Sequence, residues 1–369
     1  MSETDPHDVA MNIAEEALLF RMQNKPEIAK EKFRAAFEYE AIAAGSYMNL
    51  FDQEPTRSIL FRSAAALAFN AGMLREAEQM IGHLLIGNPP EDIANEGRNL
   101  YEKINFERHL SIKGIKLCET DVQMSLAGNS VSFGMVRSEE FLKRAELFDS
   151  MAIRTAERML GRPFRERGRI SKDIRDNFAT YYSVPRAASF AITLRVGYME
   201  KQPSLFGENM QARIISDILE NVRIMNNRDE KYLRTKIENE DYFVNMIGLI
   251  KKISPDSKDV TMVGLSTFQN QKEDRVALVR TSDDIHISHL QPGIEEALEE
   301  IIITGKLTYA NADNHDIRLL SEEGDIYKVI VPKGILGDIV KPYWEQVVTI
   351  RGKIKDKKIY YEDLSREDQ

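Results

Sequence analysis

The stretch SEEFLKRAELFDSMAIRTAERMLGRPFRERGR, residues 138–169, decides how the middle of this chain folds. Phe141, Ala145, Phe148, Ala152, Ala156 and Met159 recur in steps of three and four, which places them on one face of a helix. Ser138 is read as the N-cap, and Glu139 and Glu140 in the first turn favour the positive end of the helix dipole. Gly161 and Pro163 stop the helix. Further on, in FAITLRV (residues 190–196), Phe190, Ile192, Leu194 and Val196 alternate with Ala191, Thr193 and Arg195, the pattern of a strand with one buried face. A helix and a strand joined by an Arg-rich connection make an α+β unit. They are not a catalytic signature.

Bulk composition bounds the rest. A chain of 369 residues predicts two or three domains, and 43% hydrophobic with 30% charged residues predicts a sizeable globular core. The net charge of −9 excludes indiscriminate binding to nucleic acid or anionic membrane, so a polyanion site has to be a local patch. Cys118 is the only cysteine, which excludes an intramolecular disulfide and any structural site built from several thiolates. Residues 1–5 are acidic and lack the basic-then-apolar order of a signal peptide, and no run of about eighteen apolar residues occurs. The expectation is a cytoplasmic protein without a membrane partner.

Residues 10–110 carry helical periodicity broken by Pro and Gly. Ala65, Ala68, Gly72, Leu74, Ala77, Ile81, Leu84 and Pro89 form one ordered set of small, bulky and turn positions; Ala17, Phe20, Asn24, Pro26, Ala29, Phe33 and Ala36 form an earlier one. This spacing resembles the tetratricopeptide repeat over about a quarter of the chain. Ala29 and Ala77 lie 48 residues apart, beyond the usual period of about 34, so the second helix of the first copy is extended or followed by a loop. A helix over residues 92–110 would cap the stack. The resemblance implies packed helix pairs with a concave partner-binding face, and it places Ala77 and Gly72 at the crossing of paired helices. Small residues at helical spacing also suit a plain helical bundle.

Past Ser111 the period changes to two. Ile115, Leu117, Val122, Met124 and Leu126 alternate with polar residues, and Gly128 with Asn129 marks a turn before Val131 and Phe133. Helices are read through Met210, Ile214, Ile218, Val222 and Met225, and through Phe243, Met246, Ile247 and Ile250. Residues 260–265 and 276–279 read as a hairpin. Pro292 and Gly293 read as a linker, and Glu295, Glu296, Glu299 and Glu300 as part of a solvated helix. Strands then follow from Ile301, from residue 315, over 326–331, over 346–354 and over 358–364, with a helical piece at 335–340. Five strands with a helix between the third and fourth resemble the OB-fold in layout, with an SH3-like barrel as the competitor. Gly305 and Gly352 fall inside the first and fourth strands, where a small barrel bends. The fold expected is multidomain α+β: a tetratricopeptide-like helical domain (1–110), a central α+β domain (111–290) and a small β-barrel, OB-like or SH3-like (291–369). That order also resembles uncharacterised bacterial proteins, a likeness that implies no activity.

Two basic clusters are candidate anion or nucleic-acid sites. Arg154, Arg158, Arg162, Arg165, Arg167, Arg169, Lys172 and Arg175 face Glu157, Glu166, Asp173 and Asp176 in the same span. The planar guanidinium suits phosphate or carboxylate, whereas a solvated helix end or intramolecular ion pairs would explain the same run. In the third block Lys306, Lys328, Arg351, Lys353, Lys355, Lys357 and Lys358 interleave with Tyr309, Tyr327, Tyr360 and Tyr361, as single-stranded nucleic acid binding requires, although Lys also protects sheet edges. Tyr343 and Trp344 are read as plugging the barrel. Asp283, Asp284, His286 and His289 supply at most two ligands on one face, and His315 with Asp313 and Asp316 lies in a turn, so no metal is expected. No phosphate-binding glycine loop, nucleophile elbow or HExxH helix is present. The reading is therefore a non-enzymatic scaffold or adaptor with no catalytic residue and no cofactor, binding a protein partner through its helices. The alternative is a nucleic-acid-binding component that uses the Arg-rich loop and the barrel. The oligomeric state is not legible.

Overall fold

A computed structural model of the protein describes residues 5–23, 25–110, 118–132, 135–182, 190–197, 210–269, 272–287, 290, 299–355 and 358–366. The chain divides into two units, Met1–His109 and Leu110–Gln369. Pro292 and Gly293, His289, Phe133 and Lys357 lie outside the described residues.

The helical pattern of the first unit becomes α1 (Pro6–Met22), α2 (Pro26–Ser46), α3 (Thr56–Asn70), α4 (Leu74–Ile86) and α5 (Glu91–Leu110). Pro6 and Pro26 open their helices, where a missing N–H costs nothing, and the Asp5 carboxylate accepts from the His7 amide at 3.0 Å. The extended α2 and the loop over 47–55 account for the long offset between the two sets of small residues. Ala29, Phe33, Ala36, Phe61, Ala65 and Ala77 are among the buried residues of this core. Gly72 is not at a helix crossing. It sits in the turn after α3 with φ +77°, a left-handed conformation that only glycine adopts cheaply. Buried Arg57 ties the start of α3 to the end of α4: its Nη2 donates to the His83 carbonyl at 2.7 Å, and the guanidinium lies over the rings of Phe51 and Phe61.

The second unit is built on a five-stranded antiparallel sheet in the order β4-β5-β1-β6-β7, from β1 (Asp121–Ala127), β4 (Thr180–Tyr182), β5 (Phe190–Val196), β6 (Met262–Gln269) and β7 (Lys272–Leu278). Val122, Met124 and Leu126 stand in cross-strand rows with Leu194 and Ile192 on one side and Leu265 and Val263 on the other. That apolar face packs with the buried residues of α6 (Ser138–Met159), α8 (Met210–Asn226) and α10 (Glu240–Ile253). The two remaining helices are α7 (Lys172–Phe178) and α9 (Glu230–Lys236). Among the described residues β2 (Val131–Ser132) and β3 (Met135–Val136) pair with each other and with no other strand. α6 begins at Ser138 itself, because the Arg137 carbonyl accepts the first helical bonds, so Arg137 and not Ser138 is the cap.

Helix side chains bond to backbone groups at both edges of this sheet. Asn226 donates to the Ala277 carbonyl at 2.7 Å and accepts from the Val279 amide at 3.2 Å, and Asp149 accepts from the Thr180 amide at 2.9 Å. Such bonds occupy edge groups that could otherwise pair with another chain.

The C-terminal strands close into a barrel: β8 (Glu299–Asn311), β9 (Asp316–Leu320), β10 (Ile326–Ile330), β11 (Val347–Lys355) and β12 (Lys358–Arg366). β8, β9 and β10 are antiparallel in sequence, β10 runs parallel to β12, and β12 returns through β11 to β8. Glu299 and Glu300, expected on a helix, begin β8, since pairing with Ile354 and Lys353 on β11 overrides the local pattern. Gly352 lies at the bulge in β11, and a Cβ there would meet the Tyr360 carbonyl at 2.7 Å. The irregularity in β8 falls between Leu307 and Tyr309 rather than at Gly305.

Between β10 and β11 a helical segment, Leu336–Val340, and a turn, Lys341–Tyr343, close the barrel base. The closing residues are Ile335 and Ile339, both buried, whereas Trp344 is 45% exposed and does not plug the barrel. Ile335 and Ile339 press on Gly248 of α10, where a Cβ would stand 2.5 and 2.6 Å from their Cδ1 atoms. Sheet, helices and barrel thereby share one continuous apolar core.

Candidate functional site

The Arg-rich stretch is largely paired with carboxylates, from buried Arg154 to exposed Arg162 and Arg167. Arg154 is buried; it donates to Asp338 (Nε 2.7 Å, Nη2 3.1 Å) and to Glu157 (3.0 Å), and its guanidinium lies 4.4 Å from the Phe164 ring centroid. Burial works against its charge, but Asp338 and Glu157 hold the guanidinium protonated above its ordinary value. Arg165 also reaches Glu157 at 3.0 Å, Arg158 pairs with Asp217, Arg162 with Asp173 at 2.9 Å, and Arg167 with Asp313 of the barrel. Arg169 and Lys172 are exposed. The Tyr242 hydroxyl donates to the Arg162 carbonyl at 3.2 Å, and burial together with Glu157 pushes its pKa up to about 12. The arrangement staples helix to barrel; within this stretch, and among the described residues, Arg169, Lys172 and Arg175 face solvent without an ion pair.

The barrel candidates are dispersed. Lys353 is buried, Arg351 pairs with Asp283 at 2.5 Å, and Lys355 and Tyr360 are half-buried. Lys306 is exposed opposite Val347, six ladder positions from Lys353, or roughly 20 Å along the strand. Half-buried Tyr309 carries Arg318 over its ring at 4.4 Å. Of the residues weighed for a metal, Asp283 serves Arg351, Asp284 accepts from the Thr281 amide at 2.9 Å, and His315 lies 3.7 Å from Glu166. Among the described residues no three His, Cys, Asp or Glu side chains converge on a metal position.

A charged cluster that local sequence windows do not reveal joins α10 to β12. Lys251, fully buried, donates to the carbonyls of Ser282 and Ile285 at 2.6 and 2.7 Å, and Lys252 donates to Asp363 at 2.5 Å. Burial depresses the Lys251 amine despite Asp363 and Glu362 nearby. Beside it runs a cleft of about 650 Å³ bridged at its mouth by Arg366 and Glu139 at 2.6 Å. Its lining carries charges of both signs, among them the Arg366–Glu139, Lys252–Asp363 and Arg351–Asp283 pairs.

The first unit offers a different surface. Thirteen of the 22 exposed large apolar side chains among the described residues lie in it. On α2, Ile28, Ala35, Tyr39 and Ile42 follow one another at steps of seven, four and three, so they form a stripe of period 3.5 along the helix. Ile42 is 62% exposed, and Ile28 and Tyr39 are each more than two-fifths exposed. The inward face of α2 is separate: Ala29, Phe33, Ala36, Phe37, Glu40, Ala43 and Ala44 fill the core. Lys32, within the stripe, reaches Glu16 of α1 at 2.6 Å, so the stripe runs beside α1. The helix is therefore apolar on two sides, one buried and one exposed. The signal was present in the sequence at 28, 35, 39 and 42, masked by the stronger core periodicity.

No protein-family model, curated protein or solved structure matches this chain. No described helix is long and apolar enough to cross a membrane.

Proposed function

We propose that the chain is a non-enzymatic adaptor whose first unit holds an amphipathic helix of a protein partner along the α2 stripe. The observation that carries this reading is the 3.5-residue stripe of exposed Ile28, Tyr39 and Ile42 with half-buried Ala35. Helix-in-groove recognition uses anchors at such spacing. The α1–α2 and α3–α4 hairpins, with a left-handed glycine in the second turn, support a tetratricopeptide-like description of this unit. A cytoplasmic location belongs to the same reading and draws support from the lone cysteine. The test compares affinity capture by the native chain and by a Tyr39→Asp/Ile42→Asp variant. A partner retained by the first, lost by the second and then reconstituted from pure components is the expected result. Equal recovery by both, with the variant's melting curve unchanged, overturns the reading.

A second reading concerns the barrel. Its strand order, the parallel third and fifth strands, and the helical closure between the third and fourth support an OB-like description. Exposed Lys306, and exposed Arg318 stacked on Tyr309, supply a cation-and-aromatic surface of the kind single strands bind. Titration with single-stranded DNA and RNA at low salt checks it, with Lys306→Glu/Arg318→Glu expected to abolish any binding.

A further inference from the structure

The outer face of the barrel carries a row of side chains in strict cross-strand register. Val347 on β11 stands opposite Lys306 on β8, Lys306 opposite Leu320 on β9, and Leu320 opposite Ile326 on β10. Partners directly opposite share a sheet face, so the four point the same way. All four are exposed, Ile326 by 67%, while Leu307, Leu319 and Val348 beside them in sequence point inward and are buried, and Gly305 is buried as well. At about 4.8 Å per strand the row spans roughly 14 Å.

Charge is ordered on either side of this row. One step along the β9–β10 hairpin, Arg318 stands opposite Lys328. In the other direction the hairpin tip carries Glu322 and Glu323, both exposed and without an ion pair among the described residues. Arg318 is exposed and rests on the Tyr309 ring; Lys328 is 59% exposed and touches Asp316 at 3.2 Å. The hairpin therefore reads acid, apolar, base along its length, with each step about 7 Å.

We infer that this face docks a second copy of the same chain through a two-fold axis at the Leu320–Ile326 pair. Turning a copy by half a revolution about an axis along the row lays the Glu322–Glu323 tip of each protomer over Arg318 and Lys328 of the other, while Leu320, Ile326 and Val347 meet their own copies and the flexible Lys306 chains splay to the side. Such a patch is self-complementary, which an isologous interface requires. A partner of uniform charge would match one end of it and clash with the other. The inference goes beyond the adaptor reading and uses a different unit of the chain.

Sedimentation velocity of the full chain tests it. The expected result is a mass that doubles with rising concentration, with a midpoint on the order of tens of micromolar because the patch is small. Added salt should weaken association. Ile326→Asp, at an exposed position, should leave the circular dichroism and melting curve unchanged and weaken association at least about tenfold. Glu322→Lys/Glu323→Lys and Arg318→Glu should each fail to self-associate, and mixing the two variants should restore a heterodimer. A chain that remains monomeric at several hundred micromolar overturns the inference. So does a dimer indifferent to Ile326→Asp, or one indifferent to the charge reversals.

Discussion

Arg154 of α6 and Asp338 of the barrel closure, 184 residues apart in sequence, meet in a two-point ion pair with N–O distances of 2.7 and 3.1 Å. Asn245 of α10 donates to the same carboxylate at 2.9 Å, so three elements converge on one side chain. Removing one partner of a buried pair strands the other. Asp338→Ala should therefore lower stability by about 3–5 kcal/mol in urea denaturation. Arg154→Met/Asp338→Leu, which removes both charges, should recover much of that loss. A single-variant cost under about 1 kcal/mol would place the pair among solvated surface bridges instead.

The helical unit makes a separate prediction. Ala77 is fully buried, so Ala77→Leu overpacks the α3–α4 core and should cost about 1–3 kcal/mol. Gly72→Ala meets no neighbouring atom within 4 Å, but its φ of +77° should cost about 1–2 kcal/mol through the backbone alone. Thermal melting of the two variants, each against the native chain, checks both values.

Asp363 predicts the acid limb of stability. Burial alone would raise its carboxyl pKa, but Lys252 and Lys251 outweigh burial and hold it below the ordinary carboxylate range. An unfolded Asp titrates near about 3.9, so below that value the unfolded chain binds more protons than the folded one. The stabilisation is complete above about pH 4 and is lost as the pH falls through the depressed folded value. Urea midpoints between about pH 2.5 and 6 should show this decline, and Asp363→Asn should flatten it while lowering stability at neutral pH.

The seat of Ile335 and Ile339 on Gly248 bears on the barrel as a folding unit. Residues 299–369 expressed alone would expose that apolar base to water, so the fragment should lack a cooperative unfolding transition. Residues 110–369 should unfold in one step. A sharp transition in the shorter fragment would show that the closure residues need no partner.

How much of this was legible depended on range. The β6–β7 hairpin, the barrel strands and the α6 face follow from local periodicity, which neighbouring residues set. Arg154 illustrates what does not. Its local setting, among seven other basic residues, reads as a solvated run, yet Asp338 and Glu157 draw it inside. Arg144 behaves alike, buried against Glu140 and Asp256, the latter more than a hundred residues away. Glu299 and Glu300 looked helical because their strand partners on β11 lie some fifty residues downstream. The α2 stripe is hidden for another reason: an exposed apolar face and a buried one share the helix, and their periods overlap.

The parallel ladder that joins β10 to β12 sets an order of events during synthesis. The first unit rests on contacts between successive helices, so it can mature soon after it leaves the ribosome. The second unit cannot. Its core runs without a break from Val122 to Leu364, and β12 supplies Ile359, Tyr361 and Leu364 from the end of the second unit. Until that strand emerges, the barrel has an open seam and the nascent sheet carries uncovered apolar surface. At ordinary translation rates of about 5–20 residues per second, well over a hundred residues of β1-to-β11 chain wait many seconds in that state. Apolar surface of the second unit is therefore exposed to the cell for far longer during synthesis than that of the first.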